Sequence, residues 1–383
     1  MKIVYTLEEL PDNIDKSIFL AGPTSRDSSV ESWRNTALKI LEDKGYDGVV
    51  FVPEYKDNKT YHNKYDEQVS WEEECLNIAD CIVFWIPRDL KKLPALTTND
   101  EWGTWKHSGK VVLGCPKDAD KVQYQEYYAK KLHIPFSNSL SETLQNAIDF
   151  IGYGCERHGG ERFVPLYIWK TPSFQEWYKS QINAGNCLKR AELLFNFRPE
   201  NKNFVFLWIL KTHIYVKEEN RIKENEFVLS RPDISSVVLF HKNKENIKAS
   251  KVVLIREFRS SASTKDSFIR ELPGGSSNKH KDPIIVAMQE VKEETGFSIS
   301  YDRFKKHSVH QLAGTLSAHK SHLYSVELTE EEIAWFEDMR YKTFGNKKDT
   351  EITYVEVVTI EDLLSLDIDW ANIGQILSVI YLN

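Results

Sequence analysis

Three glutamates, Glu290, Glu293 and Glu294, stand at i, i+3 and i+4, a spacing that places their carboxylates on one face of a helix. Three like charges there destabilise an isolated helix. A divalent hard cation, Mg²⁺ (or Mn²⁺), would reverse that cost, because it takes such carboxylates together with water and phosphate oxygens. A solvated acidic helix is the competing reading of the spacing alone. Asp282-Pro283 before the run and Gly296 after it are helix start and stop signals. Ala287 and Val291 supply an apolar face on which such a helix could pack.

A second set of polar residues sits where short apolar runs end. Gly22-Pro23-Thr24 follows residues 17–21, Pro53-Glu54 follows 49–52, and Pro87-Arg88 follows 81–86; a loop over 96–100 leads to Glu101. If these runs are parallel strands, a ligand binds beyond their carboxyl ends. Gly22 lets a ligand approach the backbone, and Thr24-Ser25-Arg26, opening the next helix, could hold an anion or a sugar hydroxyl. Strands also simply end in polar residues, and a glutamate in a first helical turn complements the helix dipole.

The elements that must position these groups are legible as periodicity. Residues 29–44 read as an amphipathic helix with Trp33, Ala37, Ile40 and Leu41 on one face. Helices over 71–79, 101–107, 121–132 and 141–151 alternate with apolar strands that close on 110–114. This predicts an α/β domain with a doubly wound parallel sheet over residues 1–152. Residues 152–160 (GYGCERHGG) read as a linker, and 173–195 as one or two helices, making 153–200 a linker and helical connector. Strand patterns over 204–210, 213–216, 237–240 and 252–257, a helix over 283–295 and a closing helix near 373–381 predict an α+β domain over 201–383.

The chain has 383 residues, which suits two or three domains. Its net charge of -7 argues against a nucleic-acid polymer or an anionic membrane as partner and leaves room for a local phosphate pocket. Five scattered cysteines without a CxxC pair point to reduced thiols. No apolar signal core opens the sequence and no run is long enough to span a bilayer, so the expected compartment is the cytoplasm.

FLAGPT followed by SWR, then VFVPE, QVSWEEECL, ADCIVFWIPRD, LTTNDEWG and SGKVVLG occur in that order. Residues 15–150 thereby resemble a nucleoside 2-deoxyribosyltransferase-like domain. The resemblance implies that Glu101, followed by Gly103, is a nucleophile on the anomeric carbon of a nucleoside or nucleotide, a role that suits a carboxylate facing an oxocarbenium-like centre. Deoxyribosyltransferases carry two further aspartates, at positions that correspond here to Pro87 and Ala95. Leaving-group protonation then falls to Glu54, Asp100 or Glu72, or to no residue, and hydrolysis competes with transfer. Asp80 lies at the opposite strand end and reads as a turn residue. Gln68, Trp71, Trp85, Trp102 and Asn99 are candidates to frame a base, with Gly22, Pro23 and Thr24 beside the sugar; Trp33 reads as core.

ELPGG ahead of QEVKEETGF is similar to a Nudix box, with Gly275, Glu290, Val291, Glu293, Glu294, Gly296 and Phe297 in register. Together with VLIREFR it is similar to the ADP-ribose pyrophosphatase branch, and implies a Nudix-type α/β/α sandwich over 201–383. Glu271, Glu290, Glu293 and Glu294 are the implied metal ligands, with Glu293 and Glu294 catalytic. Asp349, Glu351 and Glu356 are candidate bases, and Arg256, Arg259 and Arg270 candidate phosphate contacts. Lys281 and Gln289 replace the glutamate and arginine that brace the box in relatives, which predicts loss of that brace.

These features predict a bifunctional nucleotide-metabolising enzyme, with an N-glycosidic site and a Mg²⁺-dependent site for a nucleoside diphosphate-X linkage. Two other readings stay open: an NAD glycohydrolase coupled to ADP-ribose hydrolysis, and a nucleotide sensor with a degenerate Nudix domain. Both resembled families often pair subunits, which makes a homodimer a further expectation.

Overall fold

Apolar strands with no polar alternation need cover on both faces, and in the computed structural model they have it. The structure describes residues 1–24, 30–56, 64–199, 204–276, 281–346 and 350–382. Ser25, Arg26, the start of the helix expected over 29–44, and Asp349 lie outside the described residues. The chain divides into two compact units, residues 1–194 with 210–226 and residues 195–209 with 227–383.

The first unit runs β1 (Lys2–Tyr5), β2 (Asn13–Ile14), β3 (Ser17–Ala21), α1 (Trp33–Asp43), β4 (Val49–Val52), α2 (Tyr65–Ile78), β5 (Cys81–Trp85), α3 (Leu96–Trp105), β6 (Val111–Gly114), α4 (Gln123–Lys131), β7 (Phe136–Ser137) and α5 (Leu140–Ile151). Six strands form a parallel sheet in the order β1-β4-β3-β5-β6-β7. Side chains alternate across a strand. Ile18, Leu20, Val50, Val52, Val83 and Val112 pack with Ala37 and Leu41 of α1 and Leu144 and Ala147 of α5. On the other face Phe84 meets Trp102 of α3 edge-on, with ring centroids 5.4 Å apart. Helices on both faces make this the expected parallel α/β domain.

The segment read as a linker is structured and belongs to the first unit through residue 194. It continues β8 (Arg157–His158), α6 (Leu166–Trp169) and α7 (Pro172–Asn183). Leu166 joins the core beneath α1 and α5, and β8 pairs antiparallel with β2. Gly154 and Gly160 lie against backbone, each with a carbonyl 2.3 Å from where a Cβ would stand, while Gly152 and Gly159 have open space and positive φ, so close approach and left-handed backbone divide this glycine-rich stretch. After α7 the expected helix gives way to strand. β9 (Cys187–Phe197), β10 (Leu207–Val216) and β11 (Arg221–Ser230) pair in the order β11-β10-β9.

The second unit continues β12 (Ile234–His241), β13 (Lys251–Phe258), β14 (Phe268–Glu271), β15 (Gly274–Gly275), α8 (Pro283–Thr295), β16 (Lys305–Gln311), β17 (Lys320–Glu327), α9 (Glu330–Asp338), β18 (Thr343–Phe344), β19 (Thr353–Thr359) and α10 (Trp370–Leu382). The sheet order is β16-β17-β12-β13-β19-β18, with β14 beside β13 and β15 beside β12. It is mixed, since β12 and β17 are parallel and the other pairs antiparallel. Val237, Leu239, Val253 and Val355 pack with α8 and α9. Their neighbours Val238, Phe240, Val252 and Leu254 pack with α10. Alternation along each strand thus feeds two cores, one per face. No helix of the described residues is long and apolar enough to cross a membrane. All five cysteines are free, with Cys75, Cys81 and Cys115 buried.

Candidate active sites

In the first unit the SWR tripeptide is a clamp. Ser32 caps α1 by accepting from the Arg34 N–H at 3.2 Å and donates to both oxygens of Glu54, at 2.9 and 2.8 Å. Trp33 packs against the core, as expected, and its Nε1 also donates to the Pro23 carbonyl at 3.1 Å. Arg34 is only 1% exposed. Its guanidinium donates to the Leu20 carbonyl (3.0 Å), the Gly22 carbonyl (2.7 Å), Thr24 Oγ1 (2.9 Å) and Glu54 Oε1 (2.6 Å). Gly22 has φ of 153°, and a Cβ there would stand 2.3 Å from the Trp85 carbonyl oxygen, so no other residue fits without a backbone shift.

Glu54, expected as an acid, is therefore the counter-ion of Arg34. Both of its oxygens accept from Ser32 and one from Arg34, so the carboxylate is taken up by the clamp. Gly22, Pro23 and Thr24 do converge, held by Arg34 and Trp33, with Thr24 exposed at the edge.

Glu101 lies inside α3 rather than at its start. The helix begins at Leu96, launched from Ala95 in the left-handed conformation, and the expected loop over 96–100 is its first turn. Glu101 is half-buried, and burial pushes its carboxyl up to about 7; the charge of Glu72 adds to the rise, Arg34 opposes it, and Asp100 adds a little more. Glu72, on α2, is also raised, first by burial, against a hydrogen bond from Gln68 (2.8 Å) and the charge of Arg34. The negative charge of Glu72 thus favours the protonated form of Glu101. Lys110 anchors the end of α2 behind them: its buried ammonium donates to the carbonyls of Leu76 and Asn77 (2.7 Å each) and Ala79 (2.9 Å).

The tryptophans expected to frame a base are packed within the protein. Trp71, Trp85 and Trp102 are buried; Trp71 Nε1 donates to the Glu8 carbonyl at 3.0 Å, Trp85 lies against Gly114, and Trp102 is spent on Phe84. Gln68 faces Glu72 instead of solvent-borne ligand. Asn99 Oδ1 accepts from Gln125 at 2.8 Å and from the Arg88 guanidinium, so its carbonyl is committed to the protein.

In the second unit Glu257 of β13, Glu294 of α8 and Glu351, just ahead of β19, each offer a carboxylate oxygen within 4.8 Å of the others. The β13–β19 register places Glu257 opposite Thr353, which is how positions almost a hundred residues apart in sequence converge. The ELPGG turn is fitted to α8: the Gly274 N–H donates to Glu294 at 2.8 Å, and a Cβ on Gly275 would stand 2.6 Å from the Glu290 carboxyl. Burial, then neighbouring carboxylates, push Glu290 up to about 7 and Glu294 well above its ordinary value. Burial also takes Glu257 up to about 7, against the pull of Arg259. Glu257 Oε2 is buried without a hydrogen bond of proper geometry, although Arg259 Nη2 lies 2.9 Å away. Carboxylates crowded together and repelling one another, two of the three buried, fit a hard divalent cation.

The expected ligand set is redrawn. Glu294 is in the trio, Glu290 lies beside it, and Glu257 and Glu351 join it. Glu293 is exposed, and its charge raises Glu290. Glu271 is bound by Arg259 Nε and Nη2 at 2.9 and 2.8 Å. Arg259 thus bridges two carboxylates instead of waiting for phosphate. Arg256 pairs with Asp266 at 2.7 Å and lies over the Phe268 ring. Glu356 is held by Arg270 at 2.6 Å and offers no free base. The brace expected to be lost exists in altered form, for Lys281 Nζ donates to Gln289 Oε1 at 2.8 Å. Arg231 went unread: half-buried, it stacks on Phe206 and donates to Ser276 at 2.6 Å, within electrostatic reach of Arg259 and Glu271.

No curated protein matches the chain. Residues 15–119 match the family model described as Nucleoside 2-deoxyribosyltransferase like, so the first unit carries a domain of that kind.

Proposed function

We propose that the first unit breaks the N-glycosidic bond of a nucleoside or nucleotide, by transfer or by hydrolysis, with Glu101 as nucleophile and Glu72 as acid. The match of residues 15–119 to a deoxyribosyltransferase-like family carries this reading, and within that domain burial and the charge of Glu72 raise Glu101. Positive charge developing at the anomeric carbon favours an ionised Glu101, and burial, which raises Glu72, favours a proton there. A Glu101 oxygen then bonds to that carbon, the C–N electrons pass to the base, and the base takes the Glu72 proton. Water or an acceptor base next displaces Glu101, and Glu72 recovers a proton. Incubation of wild-type and Glu101→Ala protein with a panel of nucleosides, nucleotides and NAD tests this. Base release by wild type alone is expected; equal release by both sinks the assignment.

We also propose that the second unit is a Nudix-type, Mg²⁺- or Mn²⁺-dependent hydrolase of a nucleoside diphosphate-X linkage. The trio Glu257, Glu294 and Glu351 favours this reading, and these residues would hold the metal with Glu290 beside them. Such an ion would neutralise phosphate charge and generate a hydroxide nucleophile. Around it, the Gly274 N–H orients Glu294 and the bare Gly275 gives Glu290 its place. Formation of AMP and ribose 5-phosphate from ADP-ribose, and of the corresponding monophosphates from related diphosphates, compared in wild type and Glu294→Gln, tests it; equal turnover would exclude the trio.

A further inference from the structure

We propose that Arg259 is a positioning residue of the second unit, a cation shared between Glu257 of the carboxylate trio and Glu271 outside it, which sets how tightly the trio holds a divalent ion. Arg259 Nη2 lies 2.9 Å from Glu257 Oε2 and 2.8 Å from Glu271 Oε2, and its Nε donates to that same Glu271 oxygen at 2.9 Å. Glu257 in turn offers a carboxylate oxygen within 4.8 Å of those of Glu294 and Glu351. One carboxylate therefore separates the guanidinium from an ion held by the trio. The strand register builds this arrangement. β13 and β14 set Glu257 opposite Ile269 and Ile255 opposite Glu271, and the Arg259 N–H continues the ladder to the Ser267 carbonyl at 3.2 Å. Glu257, Arg259 and Glu271 then share one face, and the long arginine reaches back past Glu257 to Glu271. A guanidinium bound to one member of the trio offsets part of the negative charge that attracts a divalent ion, and so weakens the grip. Glu271, held through two guanidinium nitrogens, limits how far Arg259 can turn to Glu257. The inference rests on the trio being a metal site, and it gives Glu271 a part other than ligation.

Titration of the full-length chain with Mn²⁺, the free ion being read by electron paramagnetic resonance, needs neither substrate nor turnover. The Arg259 side chain keeps 40% of its surface exposed, so its replacement removes charge without opening the core. Arg259→Gln should bind Mn²⁺ about tenfold more tightly, the scale of removing one charge at short range, and Arg259→Met, which keeps the apolar stem, should agree. Glu271→Gln should bind more weakly than wild type, because the guanidinium then turns to Glu257. On the Arg259→Gln background the same Glu271→Gln change should have no effect. Unchanged or weaker binding by Arg259→Gln overturns the proposal. A loss on Glu271→Gln that is equal with and without Arg259 also overturns it, since Glu271 would then act as a ligand or as a remote charge. Binding that survives Glu294→Gln sinks the trio and the proposal together. Binding lost in Glu294→Gln but indifferent to Arg259 sinks the proposal alone.

Discussion

Arg157 Nη2 lies 2.5 Å from Asp80 Oδ1, and both side chains are buried completely enough to exclude water. Asp80 also accepts from Ser17 at 3.0 Å, and Arg157 donates to the Val164 carbonyl at 3.0 Å. The segment after residue 152 therefore neutralises a charge at the amino end of β5 in the parallel sheet. Removing one partner of a buried pair leaves the other stranded, at about 3–5 kcal/mol. Arg157→Leu is expected to cost the first unit that much in urea unfolding. The double variant with Asp80→Leu should lose less than the sum of the two single changes.

The pH dependence of base release should report the carboxyl pair. The active form holds one proton between Glu101 and Glu72, so kcat/KM rises as the first proton leaves and falls as the second does. Glu101 must be ionised and is raised to about 7, so a bell with its acid limb near 7 is expected, the alkaline limb being set by Glu72. Glu72→Gln cannot donate and no longer repels Glu101, so the alkaline limb should vanish and the maximum drop by about 10²–10⁴. A pH profile that keeps its alkaline limb in Glu72→Gln would remove Glu72 from the pair.

Two glycines should respond differently to the same methyl group. At Gly22 a Cβ meets the Trp85 carbonyl at 2.3 Å and the Trp33 ring at 2.8 Å, and φ is positive; Gly22→Ala should lower the unfolding midpoint as well as base release. At Gly275 the obstacle is the end of the Glu290 side chain, which can swing aside. Gly275→Ala should leave thermal stability near wild type and weaken divalent-cation binding, measured by isothermal calorimetry.

Metal removal should separate the two units. Chelation is expected to abolish diphosphate hydrolysis and leave base release intact. Mg²⁺ at 100 times its dissociation constant should stabilise the second unit by about 2.7 kcal/mol, an effect read by differential scanning calorimetry and absent from Glu257→Gln and Glu294→Gln. Stabilisation persisting in both variants would place the ion elsewhere.

The strands of the first unit were legible because burial on both faces leaves runs such as Cys81–Trp85 without polar interruption. The helix Pro283–Thr295 was legible to the residue, since Asp282 caps it, Pro283 opens it and Gly296 closes it at φ of 74°. Residues 187–197 were misread: LKRAEL favours helix locally, while pairing with β10 decides the outcome. The helix Glu330–Asp338, with its Thr329–Glu332 capping box, was overlooked despite a readable start. Arg34 could not be singled out, because an arginine on an amphipathic helix looks solvated until its carbonyl partners are placed. Glu257 and Glu351 were hidden for another reason. Neither lies near the Glu290–Glu294 run in sequence, and only the pairing of β13 with β19 brings them together.

The covalent role of Glu101 is tested most directly by mass spectrometry after exposure to a 2-fluorinated nucleoside, whose fluorine slows release of a glycosyl ester. The expected result is a mass increase of one fluorosugar on the peptide carrying Glu101, absent in Glu101→Ala. Base release from the parent nucleoside at equal rates in wild type and Glu101→Ala, with no adduct, would contradict the account.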